Sequence, residues 1–191
     1  IFNVTDGCGT LNISTTLTTN VSSTGTCFII NTNNIILDCA GLTIEYDSAG
    51  TGGVAGIDAN NRNNVTIKNC IIRDINETGA SGYGINFATT TNSFVINNTI
   101  STNGTSSNHG IIFQTSANNN TITNNTINTK GTTSDNYGVY IQTSSFNTFT
   151  GNTINTNGTS GNFGFYIITS DNNNTITNNT INTKGTTSDN I

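Results

Sequence analysis

The sequence predicts an all-β solenoid, a parallel β-helix with coils of about 27 residues and an N-terminal cap. Three observations carry this. First, the segment Asn118 to Asn136, NNNTITNNTINTKGTTSDN, returns letter for letter as Asn172 to Asn190, an offset of 54. Second, an apolar-x-x-Asn-x-Ile motif recurs between and around these copies, as Val95…Asn98…Ile100, Ile122…Asn125…Ile127, Phe149…Asn152…Ile154 and Ile176…Asn179…Ile181, in steps of 27. Third, a glycine precedes alternating apolar residues in Gly84-Ile85-Asn86-Phe87, Gly110-Ile111-Ile112-Phe113, Gly138-Val139-Tyr140-Ile141 and Gly164-Phe165-Tyr166-Ile167. Period-two alternation marks strands.

Composition supports the same reading. The chain holds 37 Asn and 39 Thr, no Pro, Met or Trp, and only 8% charged residues. Disorder usually comes with high charge and with Pro, Glu and Lys, whereas here Ile, Val and Phe recur at fixed places. The abundance of Thr, Asn and Gly disfavours helical repeats. A 27-residue unit cannot bury its own core, so it must stack on its neighbours, each strand pairing with its counterpart about 4.8 Å along the axis. Like residues then form ladders, above all Asn98, Asn125, Asn152 and Asn179, whose side chains can bond from layer to layer.

Taken in order, residues 1–30 do not follow the repeat and are expected to cap the first coil, because a bare solenoid end exposes apolar residues and strand edges. Residues 31–191 form the repeats. Ile36…Cys39 and Ile67…Cys70…Ile72 are earlier, less regular versions of the motif, so Cys39 and Cys70 occupy the position that Asn holds later. Adjacent ladder positions lie within disulfide range. A Cys39–Cys70 bond is therefore the favoured pairing, with Cys8–Cys27 stapling the cap, although four cysteines allow three connectivities. One or two disulfides imply an oxidising compartment. The chain stops at Asn190-Ile191 in mid-coil. A longer natural chain is expected, with end-to-end stacking into a filament as the other reading.

This pattern over residues 31–190 resembles the parallel β-helix repeat proteins of the NosD and pectate-lyase-like group. The opening Cys8-Gly9-Thr10-Leu11-Asn12-Ile13, followed by Cys27-Phe28-Ile29-Ile30 and Ile36-Leu37-Asp38-Cys39, resembles the start of archaeal and bacterial surface proteins that carry such repeats. The resemblance implies a right-handed coil, which parallel crossovers also favour, and a location outside the cell or on its surface. It implies no catalytic residue.

Function is less legible. The net charge of −5, with Arg62, Lys68, Arg73, Lys130 and Lys184 forming no stripe in the sequence, argues against nucleic acid. No stretch has the length of a membrane span. With one histidine, His109, and no CxxC pair, neither a metal site nor a cofactor is expected. Sequons for N-glycosylation occur at Asn3, Asn12, Asn20, Asn64, Asn76, Asn97, Asn103, Asn119, Asn124, Asn157, Asn173 and Asn178. A composition rich in Asn and Thr produces many by chance. Asn103 and Asn157, in Asn-Gly-Thr turns, are the expected exposed acceptors.

Tyr83, His109, Tyr137 and Phe163 each precede the landmark glycine, with Tyr140 and Tyr166 on the outer side of the following strand. Stacked rings can hold sugar faces, or simply cover a turn. Glu45, Asp47, Asp58, Arg62, Arg73, Asp74 and Glu77 are the only material for a polysaccharide-degrading site, and solvated surface charge explains them better, as it does the repeated Asp135 and Asp189. Asp171 is read the same way. Thr rows at 99/126/153/180 and 102/129/156/183 suit a solvated sheet; an ice-binding array is the lesser reading. The expectation is a polar structural rod at the cell surface, glycosylated and self-assembling in its fuller version, with carbohydrate binding or degradation as the alternative and no catalytic residue assigned.

Overall fold

The computed structural model describes residues 3–5, 7–133, 135–168 and 172–186, with the side chains of 3–5 excluded. β1 (Asn3–Thr5) and β2 (Gly9–Leu11) open the chain. Coils of three strands follow: β3 (Thr15–Leu17), β4 (Val21–Ser22) and β5 (Phe28–Ile30); β6 (Ile36–Asp38), β7 (Thr43–Tyr46) and β8 (Ala55–Asp58); β9 (Thr66–Lys68), β10 (Ile71–Asp74) and β11 (Tyr83–Ala88). The regular part contains β12 (Phe94–Ile96), β13 (Thr99–Thr102) and β14 (His109–Gln114); β15 (Thr121–Thr123), β16 (Thr126–Lys130) and β17 (Val139–Gln142); β18 (Thr148–Thr150), β19 (Thr153–Gly158) and β20 (Phe165–Ile168). β21 (Thr175–Thr177) and β22 (Thr180–Gly185) begin one more coil.

Like strands stack in parallel to give three sheets. The first runs β1-β3-β6-β9-β12-β15-β18-β21, the second β4-β7-β10-β13-β16-β19-β22 and the third β2-β5-β8-β11-β14-β17-β20. The N-terminal 30 residues contribute β1 to β5, which pair into all three sheets through shorter coils: Gly9 pairs with Phe28, and Thr15 with Leu37.

Register shows why the near-perfect repeat is 54 residues long. In the first sheet Phe94, Thr121, Thr148 and Thr175 pair at steps of 27. In the third, Ile85, Ile111, Val139 and Phe165 pair at 26, 28 and 26. One residue moves between the corners flanking the third sheet in alternate coils, so the structural unit is a pair of coils.

The core is a set of columns. Ile44, Ile72, Ile100, Ile127 and Ile154 line the second sheet, and Leu37, Ile67, Val95, Ile122 and Phe149 the first, all fully buried. Phe87, Phe113, Phe149 and Phe165 interlock edge to face at 5.2 to 5.5 Å. Each buried Ile or Phe contributes about 1.5–3 kcal/mol. The landmark glycine has a packing reason. A Cβ on Gly110 would strike Ile127 Cγ2 and lie 2.6 Å from the Gly138 carbonyl oxygen, and Gly84 and Gly138 are confined in the same way. Only a residue without a side chain fits where the third sheet crosses above the Ile column.

Corners are made by Asn. Between the first and second sheets, Asn97 and Asn124 adopt φ of 56° and are exposed, while Asn98 and Asn125 after them turn inward. Asn tolerates this left-handed conformation better than most residues. Asn125 Oδ1 accepts the Asn98 N–H (2.9 Å) and Nδ2–H (3.0 Å), and Asn125 Nδ2 donates to the Val95 carbonyl (2.9 Å) and to Asn152 Oδ1 (3.0 Å). This is the anticipated ladder.

Two further ladders were not anticipated. Ser93, Asn120, Asn147 and Asn174 form one between the third and first sheets, with backbone N–H to side-chain oxygen distances of 2.9 Å. Asn108, Asn136 and Asn162 form the other between the second and third sheets, with Asn108 N–H to Asn136 Oδ1 at 3.2 Å and Asn136 Nδ2 to Asn162 Oδ1 at 3.3 Å. Buried corners leave backbone donors that need partners, and in the coils of β15 and β18 one Asn per corner supplies them.

Candidate functional site: the outer faces of the second and third sheets

Outward residues of the third sheet gather the rings. His109 lies flat on Tyr137 (centroids 4.8 Å apart, planes parallel), Tyr137 on Tyr166 (4.4 Å), and Phe163 on Tyr166 (5.3 Å). Tyr140 stacks 5.2 Å from His109 and 5.9 Å from Tyr166, and Tyr83 closes the row 5.8 Å from His109. Parallel pairing of β14, β17 and β20 sets this spacing, since Ile112, Tyr140 and Tyr166 share one column. Tyr137 and His109 are buried by their neighbours, whereas Tyr83, Tyr140, Phe163 and Tyr166 are half-buried and keep accessible surface. A depression of about 460 Å³ beside them is edged by Gln114, Gln142 and Asp135. Tyr137 Oη donates to Asp135 Oδ1 (3.0 Å), and Tyr140 Oη to Gln142 Oε1 (3.3 Å).

His109 belongs to this stack. Its Nδ1 accepts the Tyr137 N–H at 3.3 Å, and burial lowers its pKa to about 4, so the imidazole is neutral at physiological pH. Burial also raises Tyr83, and burial together with the Asp135 carboxylate raises Tyr137.

The outer face of the second sheet forms a groove of about 710 Å³. Asn128, Asn155 and Asn182 run along it as an outward ladder, with amide-to-amide bonds of 2.8 and 2.9 Å. Arg73, Lys130 and Lys184 also line it. Read linearly, the basic residues make no stripe; winding the chain brings three of the five onto one groove.

Early-coil charges are mostly engaged. Arg73 pairs with Glu45 (3.8 Å), Arg62 Nε donates to the Ile30 carbonyl (2.9 Å), and Asp58 accepts the Asn60 N–H (3.0 Å) while burial raises its pKa. For Asp38, burial opposes ionisation, but bonds from Asn69 and Ala40 and the charge of Lys68, 3.1 Å away, bring the net pKa down. Asp47 and Asp74 sink beneath the corner between the second and third sheets. Burial, with Asp47 nearby, raises Asp74 to about 7. Among the described residues, the Tyr46 hydroxyl beside them is the buried side-chain polar atom left without a partner.

The expected cysteine pairs are bonded. Cys8 joins Cys27 and Cys39 joins Cys70, with Cα atoms 4.8 and 4.7 Å apart. Of the sequon residues, Asn12, Asn20, Asn64, Asn97, Asn119, Asn124, Asn157, Asn173 and Asn178 are exposed, while Asn76 and Asn103 are half-buried. Asn103 donates to Glu77 at 3.3 Å, so it is less open than its turn suggested. The side chain of Asn3 lies outside the described residues, as do Asp171 and Asp189. Thr102, Thr129 and Thr156 face inward and are buried, their hydroxyls donating to the carbonyls of Asn108, Asn136 and Asn162, so that row is no surface array.

No helix among the described residues is long and apolar enough to cross a membrane. No curated protein and no solved structure matches the chain. The family described as right handed beta helix region matches residues 4–181, and with three parallel sheets wound into a solenoid, the chain belongs to that family.

Proposed function

We propose that this chain is an extracellular or cell-surface scaffold, a stiff polar rod with residues 1–30 as its cap. One observation carries the reading: coils are tied at their corners, by disulfides from the opening strands to the β3–β5 coil and from the β6–β8 coil to the β9–β11 coil, by side-chain bonds such as Thr43 N–H to Asn20 Oδ1 in between, and by buried Asn ladders after them. Such ties resist bending, and disulfides persist in oxidising compartments. Immunogold labelling of source cells and electron microscopy of purified protein test it. Surface labelling and straight rods are expected; cytosolic label with reduced cysteines would overturn it. Long regular fibres at rising concentration would add end-to-end assembly, and isolated rods would remove that part.

The ring row favours a second role, carbohydrate retention on the third sheet. Open rings flanked by amides and a carboxylate match the apolar face and the hydroxyls of a sugar. Tyr166→Ala removes the ring that touches three others and is expected to weaken retention on a polysaccharide column at least tenfold. Unchanged retention, or none by the parent protein, rules this role out.

A further inference from the structure

The sequons are arranged in space in a way their number conceals. At the corner between the third and first sheets the exposed left-handed position is held in successive coils by Asn64, Asn92, Asn119, Phe146 and Asn173, with φ of 52° to 61°. Asn64, Asn119 and Asn173 are sequons; Asn92 is followed two residues later by Phe94, and Phe146 has no amide. Acceptors therefore occupy every second coil. Along the groove of the second sheet, the residues after Thr102, Thr129, Thr156 and Thr183, which pair in register, are Asn103, Lys130, Asn157 and Lys184. All four precede Gly-Thr, so Asn-Gly-Thr sequons alternate with Lys-Gly-Thr. The two columns are also out of step. Coils with an acceptor at the corner (119, 173) carry Lys in the groove, and those with Phe94 or Phe146 near the corner carry Asn103 or Asn157.

Rung spacing gives a physical reason. Adjacent coils are about 4.8 Å apart, less than the width of a hydrated sugar ring with its acetamido group, while alternate coils are about 9.6 Å apart. The corner sequons share one geometry: an outward Asn, an inward residue that is buried at Val65 and Asn120 and half-buried at Asn174, and a Thr that starts the next strand on the outer side. The Asn64 side chain makes an exposed bond to Asn34 (3.0 Å), which water can replace.

We propose that Asn64, Asn119, Asn173, Asn103 and Asn157 are N-glycosylated, the first three along one edge and the last two in the groove, so that glycans project from alternate faces of successive coils and never from adjacent rungs of one column. The pairing of coils into a 54-residue unit is then the shortest repeat that seats a glycan per column. The donor is a polyprenyl-diphosphate-linked glycan handled by an external transferase. The Asn Nδ2 attacks the anomeric carbon, the N–C bond forms as the C–O bond to diphosphate breaks, one amide proton passes to the transferase, and the lipid diphosphate leaves. Asn97 and Asn124, the one adjacent sequon pair at a corner, exclude each other on the same grounds.

This rests on the extracellular reading, and a heterologous host separates the two. The chain is secreted from cells that N-glycosylate, and glycopeptides and large proteolytic fragments of the folded protein are read by mass spectrometry. Glycan on the five residues is expected, with Asn97 and Asn124 never modified in one molecule. Lys130→Asn creates an acceptor between Asn103 and Asn157. Its modification is expected only on molecules bare at both neighbours, and adding Asn103→Gln and Asn157→Gln should raise it several-fold; Lys130→Gln controls for folding. Absence of glycan from all five, or glycans together on 103, 130 and 157 of one folded molecule, overturns the proposal. Cytosolic label in source cells would instead sink the scaffold reading.

Discussion

The early and late coils solve one problem in two ways. At the corner between the first and second sheets a single column contains Cys39, Cys70, Asn98, Asn125, Asn152 and Asn179. The first two are joined covalently, and the rest pass amide hydrogen bonds from coil to coil. The junction is continuous, because Asn98 Oδ1 accepts the Cys70 N–H at 2.9 Å. The inner column of the second sheet changes at the same place, from Tyr46 and Asp74 to Thr102, Thr129 and Thr156. Early loops are long and irregular, so neighbouring coils differ and the amide bonds between them stay isolated, as from Asn31 to Asn12 and from Asn64 to Asn34; a disulfide needs only two matched positions. Where coils are alike, a ladder extends by one rung with each added coil.

The largest expected effect comes from breaking the ladder in its middle. Asn125→Ala leaves the Asn98 N–H and the Val95 carbonyl buried without this partner, at a cost of about 4 kcal/mol, since each unsatisfied buried group costs roughly 1–3 kcal/mol. Asn179→Ala, in the half-exposed last described coil, should cost less than half of that in urea unfolding. Equal losses would mean that ladder bonds are not what joins the coils.

Next in size is the covalent tie. Replacing Cys39 and Cys70 with Ser is expected to cost about 3–4 kcal/mol for a bond that closes a 31-residue separation. Asn at both positions would extend the ladder and sharpen the contrast. Recovery of at least 1 kcal/mol over the Ser pair is expected, and no recovery would show that the early corner cannot accept the late device.

The smallest effect separates the two regions by pH. His109, in the late coils, has its pKa lowered from 6.5 to about 4, so the unfolded chain binds the extra proton and stability falls as pH drops from 6.5 towards 4, by about 3 kcal/mol at most. Asp74, in the early coils, is raised from 3.8 to about 7, so its contribution is complete below pH 3.8 and is lost as pH rises towards 7. The two slopes oppose each other. His109→Phe keeps a ring and should leave a protein that gains stability on acidification over this range, whereas Asp74→Asn should steepen the acid-side loss. Parallel pH profiles for the two variants would refute both assignments.

Period and alternation in the sequence were enough to determine the solenoid, the 27-residue coil and the first Asn ladder, because stacking puts residues one period apart on top of each other; a shared ladder position favoured Cys39–Cys70, while Cys8–Cys27, outside the repeat, was one of the pairings left open. Asn120, Asn147 and Asn174 recur at 27 as plainly as Asn125 and Asn152 do, yet their part in a second ladder was unread, because among 37 Asn only the corner geometry separates inward from outward. For the same reason the Thr102 row turned out to be buried, the landmark glycine proved to be a contact with the Ile column, and Arg73, Lys130 and Lys184 met in one groove. Periodicity decides which residues share a column. Which way a column faces, and which columns meet around a corner, is decided by the left-handed residues at the turns, and those act only once the coils are closed.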